Sequence, residues 1–127
     1  MNELTKAEEQ IMKYVWKLDK VFLKDIVNEF PEPKPAYTTI STVVRVLVKK
    51  NFLKFETYGK VRQYYPAISK EVYFRNHMKN VIGNFFNGST SKFASFFTSD
   101  EDLSLTELEQ MKKMLEDKID TLKDKNK

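Results

Sequence analysis

The chain reads as mainly α-helical, with one small β-hairpin in its first half. Three observations lead there. Apolar residues recur at three- and four-residue spacings near both ends, two alternating aromatic-rich segments flank Gly59, and Pro31, Pro33 and Pro35 separate the helical stretches before them from those after. A length of 127 residues suits one compact domain, or one small domain with an appendage.

The first helix starts at a capping box, Thr5 with Glu8, in which each side chain satisfies a backbone N–H of the first turn. Ile11, Val15 and Leu18 follow on one face with Met12 and Trp16 beside them, and Trp16 is expected in the core. A short second helix spans Leu23 to Phe30, with Ile26, Val27 and Phe30 facing inward. The "PEPKP" stretch ends it, because proline lacks the backbone donor and disfavours helix in the residue before it.

The segment "YTTISTVVRVLVKK" resists a quick assignment. Eight of the twelve residues from Thr38 to Lys49 are β-branched, which by propensity favours a strand. As a strand, however, neither face is cleanly apolar or cleanly polar. Wound at 100° per residue, Ile40, Val43, Val44, Leu47 and Val48 form one apolar stripe, and Thr38, Ser41, Thr42, Arg45 and Lys49 form the opposite face. The pattern also outlasts a typical strand. A helix is expected, ended by Asn51 in the left-handed conformation.

Leu53 and Phe55 then alternate with Lys54 and Glu56, Gly59 turns the chain, and Val61 to Tyr65 returns until Pro66. Three helices followed by a basic hairpin compose a winged helix–turn–helix domain over residues 1–68. Residues 69–127 read as a separate helical domain. Ser69 caps a helix carrying Val72, Tyr73, Met78, Val81, Ile82, Phe85 and Phe86, and "NGST" breaks it. A short segment with Phe93, Phe96 and Phe97 follows. A second capping box, Ser104 with Glu107, opens a helix bearing Leu108, Met111, Leu115, Ile119 and Leu122, and the tail "KDKNK" is expected to fray.

Charge is unevenly placed. Between Lys34 and Arg62 stand seven basic residues against Glu56 alone, a clustering that suits a polyanion. Charge by itself fits a solvated lysine-rich surface equally well. The hydroxyl-rich face of the third helix adds weight, because exposed helical positions favour Glu, Lys, Gln and Ala, and Ser or Thr there costs helix propensity. Short hydroxyls can approach phosphates and base edges, and Arg45 can pair with guanine. Lys54, Lys60 and Arg62 on the hairpin are placed for phosphates or a minor groove. Five of the ten phenylalanines lie between Phe85 and Phe97, more apolar surface than a small helical appendage can bury against itself. A two-fold homodimer is the expected solution.

Other functions find no support. No cysteine is present, which removes disulfides, thiolate metal sites and a cysteine nucleophile. His77 is the only histidine, and Asp100, Glu101 and Asp102 form the only tight acidic cluster, so neither a metal nor a cofactor is expected. No nucleophile–base spacing or phosphate-cradling glycine loop occurs, and no catalytic residues are assigned. The chain has no signal-peptide core and no apolar run near a membrane span, so a cytoplasmic protein without membrane insertion is expected.

Three motifs give the chain a resemblance to the penicillinase/methicillin-resistance repressor family, the BlaI/MecI/CopY-type winged-helix regulators. They are "LTKAEEQIMKYVW", "YTTISTVVRVLVKKNFL" and "VRQYYP", with a weaker likeness in "DEDLSLTELEQMKKML". The resemblance implies a dimeric repressor that binds a palindromic operator in double-stranded DNA. Its contacts are expected from Thr38, Thr39, Ser41, Thr42, Arg45, Lys49 and Lys50 on the third helix, and from Lys54, Lys60 and Arg62 on the wing. The dimer interface is expected from Val81, Ile82, Phe85, Phe86, Phe93, Phe96, Phe97, Leu108, Met111, Leu115, Ile119 and Leu122. Asn51 stands where most members have glycine, and Val46 where a basic residue is common. Members controlled by β-lactam sensors are cut at an Asn-Phe bond, which implies a membrane sensor protease as a partner. That bond aligns with Phe96-Phe97, where asparagine is missing, and the copper branch's cysteines are absent. A ligand-responsive regulator, or a winged-helix protein-interaction module without DNA binding, are the alternative readings.

Overall fold

The computed structural model describes residues 3–126. The chain forms two compact units that divide between Met78 and Lys79.

The N-terminal unit is a winged helix–turn–helix. Helix α1 (Lys6–Leu18) opens on the expected capping box: the Glu8 amide donates to Thr5 Oγ1 at 3.2 Å, and the Thr5 amide to Glu8 Oε1 at 2.9 Å. Helix α2 is Leu23–Glu29, and α3 is Tyr37–Lys49. The β-branched segment is therefore helical, because its period places Ile40, Val44 and Leu47 together in the core, which a strand would not do. Asn51 follows with φ 67°, a left-handed turn that Asn tolerates and that lets the chain reverse into the hairpin.

Strands β1 (Leu53–Tyr58) and β2 (Val61–Pro66) pair antiparallel, with Leu53 opposite Pro66 and Tyr58 opposite Val61. Gly59, at φ 62°, supplies the positive φ that the first position of a tight hairpin turn needs. Val21 adds a one-residue third strand. Its amide donates to the Tyr64 carbonyl at 2.8 Å, and the Tyr64 amide donates back at 2.7 Å. The core consists of Ile11, Met12, Val15, Val21, Ile26, Ile40, Val44, Leu47, Phe52, Leu53, Tyr64 and Tyr73. Leu18, expected inward, is instead 38% exposed at the last turn of α1, where the chain leaves the core. Trp16 is half-buried, and its indole N–H donates to the Ile68 carbonyl at 2.9 Å.

Helix α4 (Lys70–Phe85) opens at Ser69, whose hydroxyl accepts from the Val72 amide at 3.2 Å. The units part ten residues beyond the 68/69 boundary expected from sequence, because the first turns of α4 complete the N-terminal core. Tyr73 is buried there, with ring centroids 5.7 Å from both Trp16 and Phe52. His77, one turn on, stacks on Tyr73 at 6.0 Å.

The C-terminal unit contains the end of α4, then α5 (Thr90–Thr98) and α6 (Leu105–Lys125). Asn87 and Gly88, both at positive φ, end α4, and Ser89 caps α5. The second capping box is present, with Ser104 Oγ and the Glu107 amide 3.1 Å apart. α6 continues through Lys125, so most of the tail expected to fray is helical, and Lys127 lies outside the described residues. Phe86 packs on Phe93 and Phe96, and Phe93 stacks on Phe97. Even so, no described side chain from Lys79 onward is buried.

One ion pair anchors α1 to the end of α3. Lys50 Nζ lies 2.8 and 3.0 Å from the two oxygens of Glu8, which is itself buried. Burial pushes the Glu8 carboxyl up, but the Lys50 ammonium and the Thr5 backbone amide together outweigh it and hold the carboxyl below its ordinary value. A lowered folded-state pKa means stability that is complete well above the unfolded value and disappears as pH falls through the folded one. Glu8→Gln keeps the cap and removes the charge. It should cost about 1.5–3 kcal/mol at pH 7 in urea melts. The part of that deficit that comes from the charge should fade as the pH falls through the folded carboxyl's lowered value and be gone once Glu8 is protonated in the folded protein.

Candidate nucleic-acid interface

The period that buries Ile40, Val44 and Leu47 leaves Thr38, Thr39, Thr42, Arg45 and Lys49 exposed, with Ser41 half-buried at their edge. The hydroxyls are partly committed to the helix itself. Thr42 Oγ1 donates to the Thr38 carbonyl at 3.0 Å, satisfying the hydroxyl within the β-branched turn. Arg45 Nη2 sits 3.5 Å from Ser41 Oγ, a loose contact that leaves most of the guanidinium's donors to solvent. Ala36, the residue before the helix, offers no side-chain cap. The Thr39 amide donates to the Ala36 carbonyl at 3.0 Å, which leaves the Tyr37 and Thr38 amides of the first turn to an outside acceptor such as a phosphate oxygen.

On the wing, Lys54, Lys60 and Arg62 are all exposed. The Arg62 guanidinium carbon lies 4.3 Å from the centre of the Phe55 ring, a cation–π contact that orients the side chain and keeps its charge. Glu56, the single acidic residue of the cluster, accepts from the Tyr58 hydroxyl at 2.7 Å. That bond, strengthened by the carboxylate's charge, raises the Tyr58 phenol above its ordinary value, so Tyr58 stays a neutral donor.

Two of the seven clustered cations are turned to internal work. Lys34 Nζ donates to the carbonyls of Phe30 at 2.7 Å and Asn28 at 3.0 Å, closing the C-terminal end of α2. Lys50, expected on the DNA-facing set, points to Glu8 and stands apart from it. The outward cations are Arg45, Lys49, Lys54, Lys60 and Arg62.

The start of α3 and the wing tip meet at a cleft of about 490 Å³, lined by Phe22, Leu23, Lys24, Tyr37, Lys60, Val61, Arg62 and Tyr64. Sequence reading missed Lys24 and Tyr37 here, because only the fold brings α2 and the hairpin turn together. Lys54, further down β1, does not line it.

The residues expected at a dimer interface are half-buried or exposed. Val81, Ile82, Phe86, Phe93, Leu108 and Met111 are half-buried. Phe85 is 78% exposed, Phe96 67% and Leu115 63%, and Phe97, Ile119 and Leu122 are exposed as well. Phe96 and Phe97 belong to the helical backbone of α5. No helix among the described residues is long and apolar enough to cross a membrane, and no three acidic or histidine side chains among them converge as a metal site.

The sequence model of the family described as penicillinase repressor matches residues 4–117. The chain is similar to the penicillinase repressor of Bacillus licheniformis, 25% identical over 116 residues, which is 91% of each chain. It is also similar to the methicillin resistance regulatory protein MecI of Staphylococcus aureus, 27% identical over 117 residues, 91% of this chain and 95% of that one. Among solved structures, the DNA binding domain of the repressor BlaI is 28% identical, with a TM-score of 0.49 over 56% of this chain and 88% of that one. The family match runs across both compact units, and the chain belongs to the penicillinase repressor family.

Proposed function

We propose that the protein is a dimeric transcriptional repressor that holds a palindromic operator with α3 in the major groove and the wing on the backbone. Its family is one of repressors rather than enzymes. The observation that carries the reading is the exposed stripe Thr38, Thr42, Arg45 and Lys49, together with a wing whose cations Lys60 and Arg62 have no acidic partner among the described residues. A protein-docking module would more often present apolar residues at such a surface. The second half of the reading rests on the C-terminal unit, whose apolar side chains have no interior of their own. DNA as partner makes the cytoplasm the working location.

A membrane sensor protease as a further partner has weaker support. The Phe96-Phe97 bond lacks the asparagine of cleaved members, and it lies in a helix that must unwind before a protease can take it as an extended strand.

Mobility shifts on selected genomic fragments, followed by footprinting, test the proposal. The expected result is a symmetric footprint with half-sites about one helical turn or a multiple apart, and affinity that falls steeply with salt. Equal retardation of every fragment, or none at low salt, overturns it.

A further inference from the structure

The cleft between α2, the start of α3 and the wing tip has the make-up of a small-molecule site. Its volume of about 490 Å³ lies within the roughly 300–1,000 Å³ usual for ligand pockets. Its floor is apolar and aromatic, formed by half-buried Phe22 and Leu23 and buried Tyr64. Its rim carries Lys24, Lys60 and Arg62, and no carboxylate lines it. The floor is also preformed. The paired hydrogen bonds between Val21 and Tyr64, at 2.8 and 2.7 Å, fix Phe22 beside the wing in advance of any occupant.

We propose that this cleft binds a small aromatic carboxylate, its ring on the Phe22–Leu23–Tyr64 floor and its charge between Lys24 and the wing cations, and that the occupant competes with DNA. A bare phosphate would use the rim and gain nothing from the floor. A neutral apolar molecule would leave the three cations repelling one another. An amphipathic anion uses both. Because Lys60 and Arg62 serve the wing, neutralising them withdraws two contacts from DNA. The competition rests on the operator-binding reading above; the ligand site itself does not.

Three probes separate the chemistries in NMR titrations of the full chain: benzoate, benzyl alcohol and inorganic phosphate. Benzoate should shift the amides of Phe22, Leu23, Lys24, Tyr37, Val61 and Arg62 and saturate. The other two should need at least about tenfold higher concentrations. Lys24→Glu should weaken benzoate about tenfold or more, while Lys6→Glu, which does not line the cleft, should leave it unchanged. In operator titrations, saturating benzoate should raise the half-point for the wild type and leave that of Lys24→Glu unmoved. Scattered or unsaturating shifts overturn the site. Phosphate saturating the same amides as tightly as benzoate overturns it too, and makes the cleft a seat for the DNA backbone. Benzoate binding without any change in the operator half-point overturns the competition alone. A protein that binds no operator refutes the repressor reading and leaves the NMR result to decide the site.

Discussion

Leu115→Glu should yield a folded, monomeric protein that no longer protects its operator at the concentration sufficient for the wild type. Leu115 is 63% exposed, so a carboxylate there displaces nothing within its own chain. In a two-fold dimer the same side chain is buried twice. The stripe Leu108, Met111, Leu115, Ile119 and Leu122 follows α6 at three- and four-residue steps, and its last three members are the most open. Burying one such leucine contributes about 1.5–3 kcal/mol, and placing two carboxylates at the seam adds their desolvation to that loss. Separating the subunits also ends the intramolecular second contact, worth roughly 10²–10⁴ in avidity. Sedimentation equilibrium and footprinting read the two effects, with circular dichroism to verify the fold. A folded monomer that still protects the operator normally would break the link between association and binding.

Arg45→Ala should weaken operator binding by about 1–3 kcal/mol per subunit and leave binding to scrambled DNA nearly unchanged. Lys60→Ala should weaken both alike and lower the salt slope by about 1 per subunit. The difference follows from location. Arg45 stands at the centre of the α3 face, which the proposed binding mode sets in the major groove, where its planar fork can pair with a guanine edge. Lys60 occupies the turn of the hairpin, where a flexible point charge suits phosphate. Titrations at several salt concentrations on both duplexes separate the two roles. Equal losses on both sequences for Arg45→Ala would remove it from base readout.

What the sequence could reveal depended on the range of the interaction. Both Thr/Ser–Glu capping boxes lie within three residues, and both were legible. The period of α3 outweighed the β-branched propensity of its residues, because the core rewards Ile40, Val44 and Leu47 on one face more than χ1 restriction costs. The Val21–Tyr64 pairing was not legible: a strand of one residue has no period. Neither were the partners of Lys34 and Lys50. A count of cations cannot tell a DNA-facing lysine from one bound to a carboxylate 42 positions away in sequence. Lys24 and Tyr37 escaped for a related reason, since they flank the wing tip only after the helices have packed.

Tyr73 carries a consequence for where this polypeptide can be cut. The wing ends at Pro66, and a gene fragment stopped soon after it would look complete by any motif-based rule. Such a fragment would omit the ring that lies 5.7 Å from Phe52 and Trp16 and would open one wall of the interior to water. By the scale of large-to-small changes in protein cores, that vacancy costs about 3–5 kcal/mol, a large share of what a domain of this size has to spare. The smallest piece of this chain that keeps the N-terminal core whole therefore extends past the wing into α4, and recombination or engineered fusion that respects the fold will join new partners after Met78 rather than at Ile68.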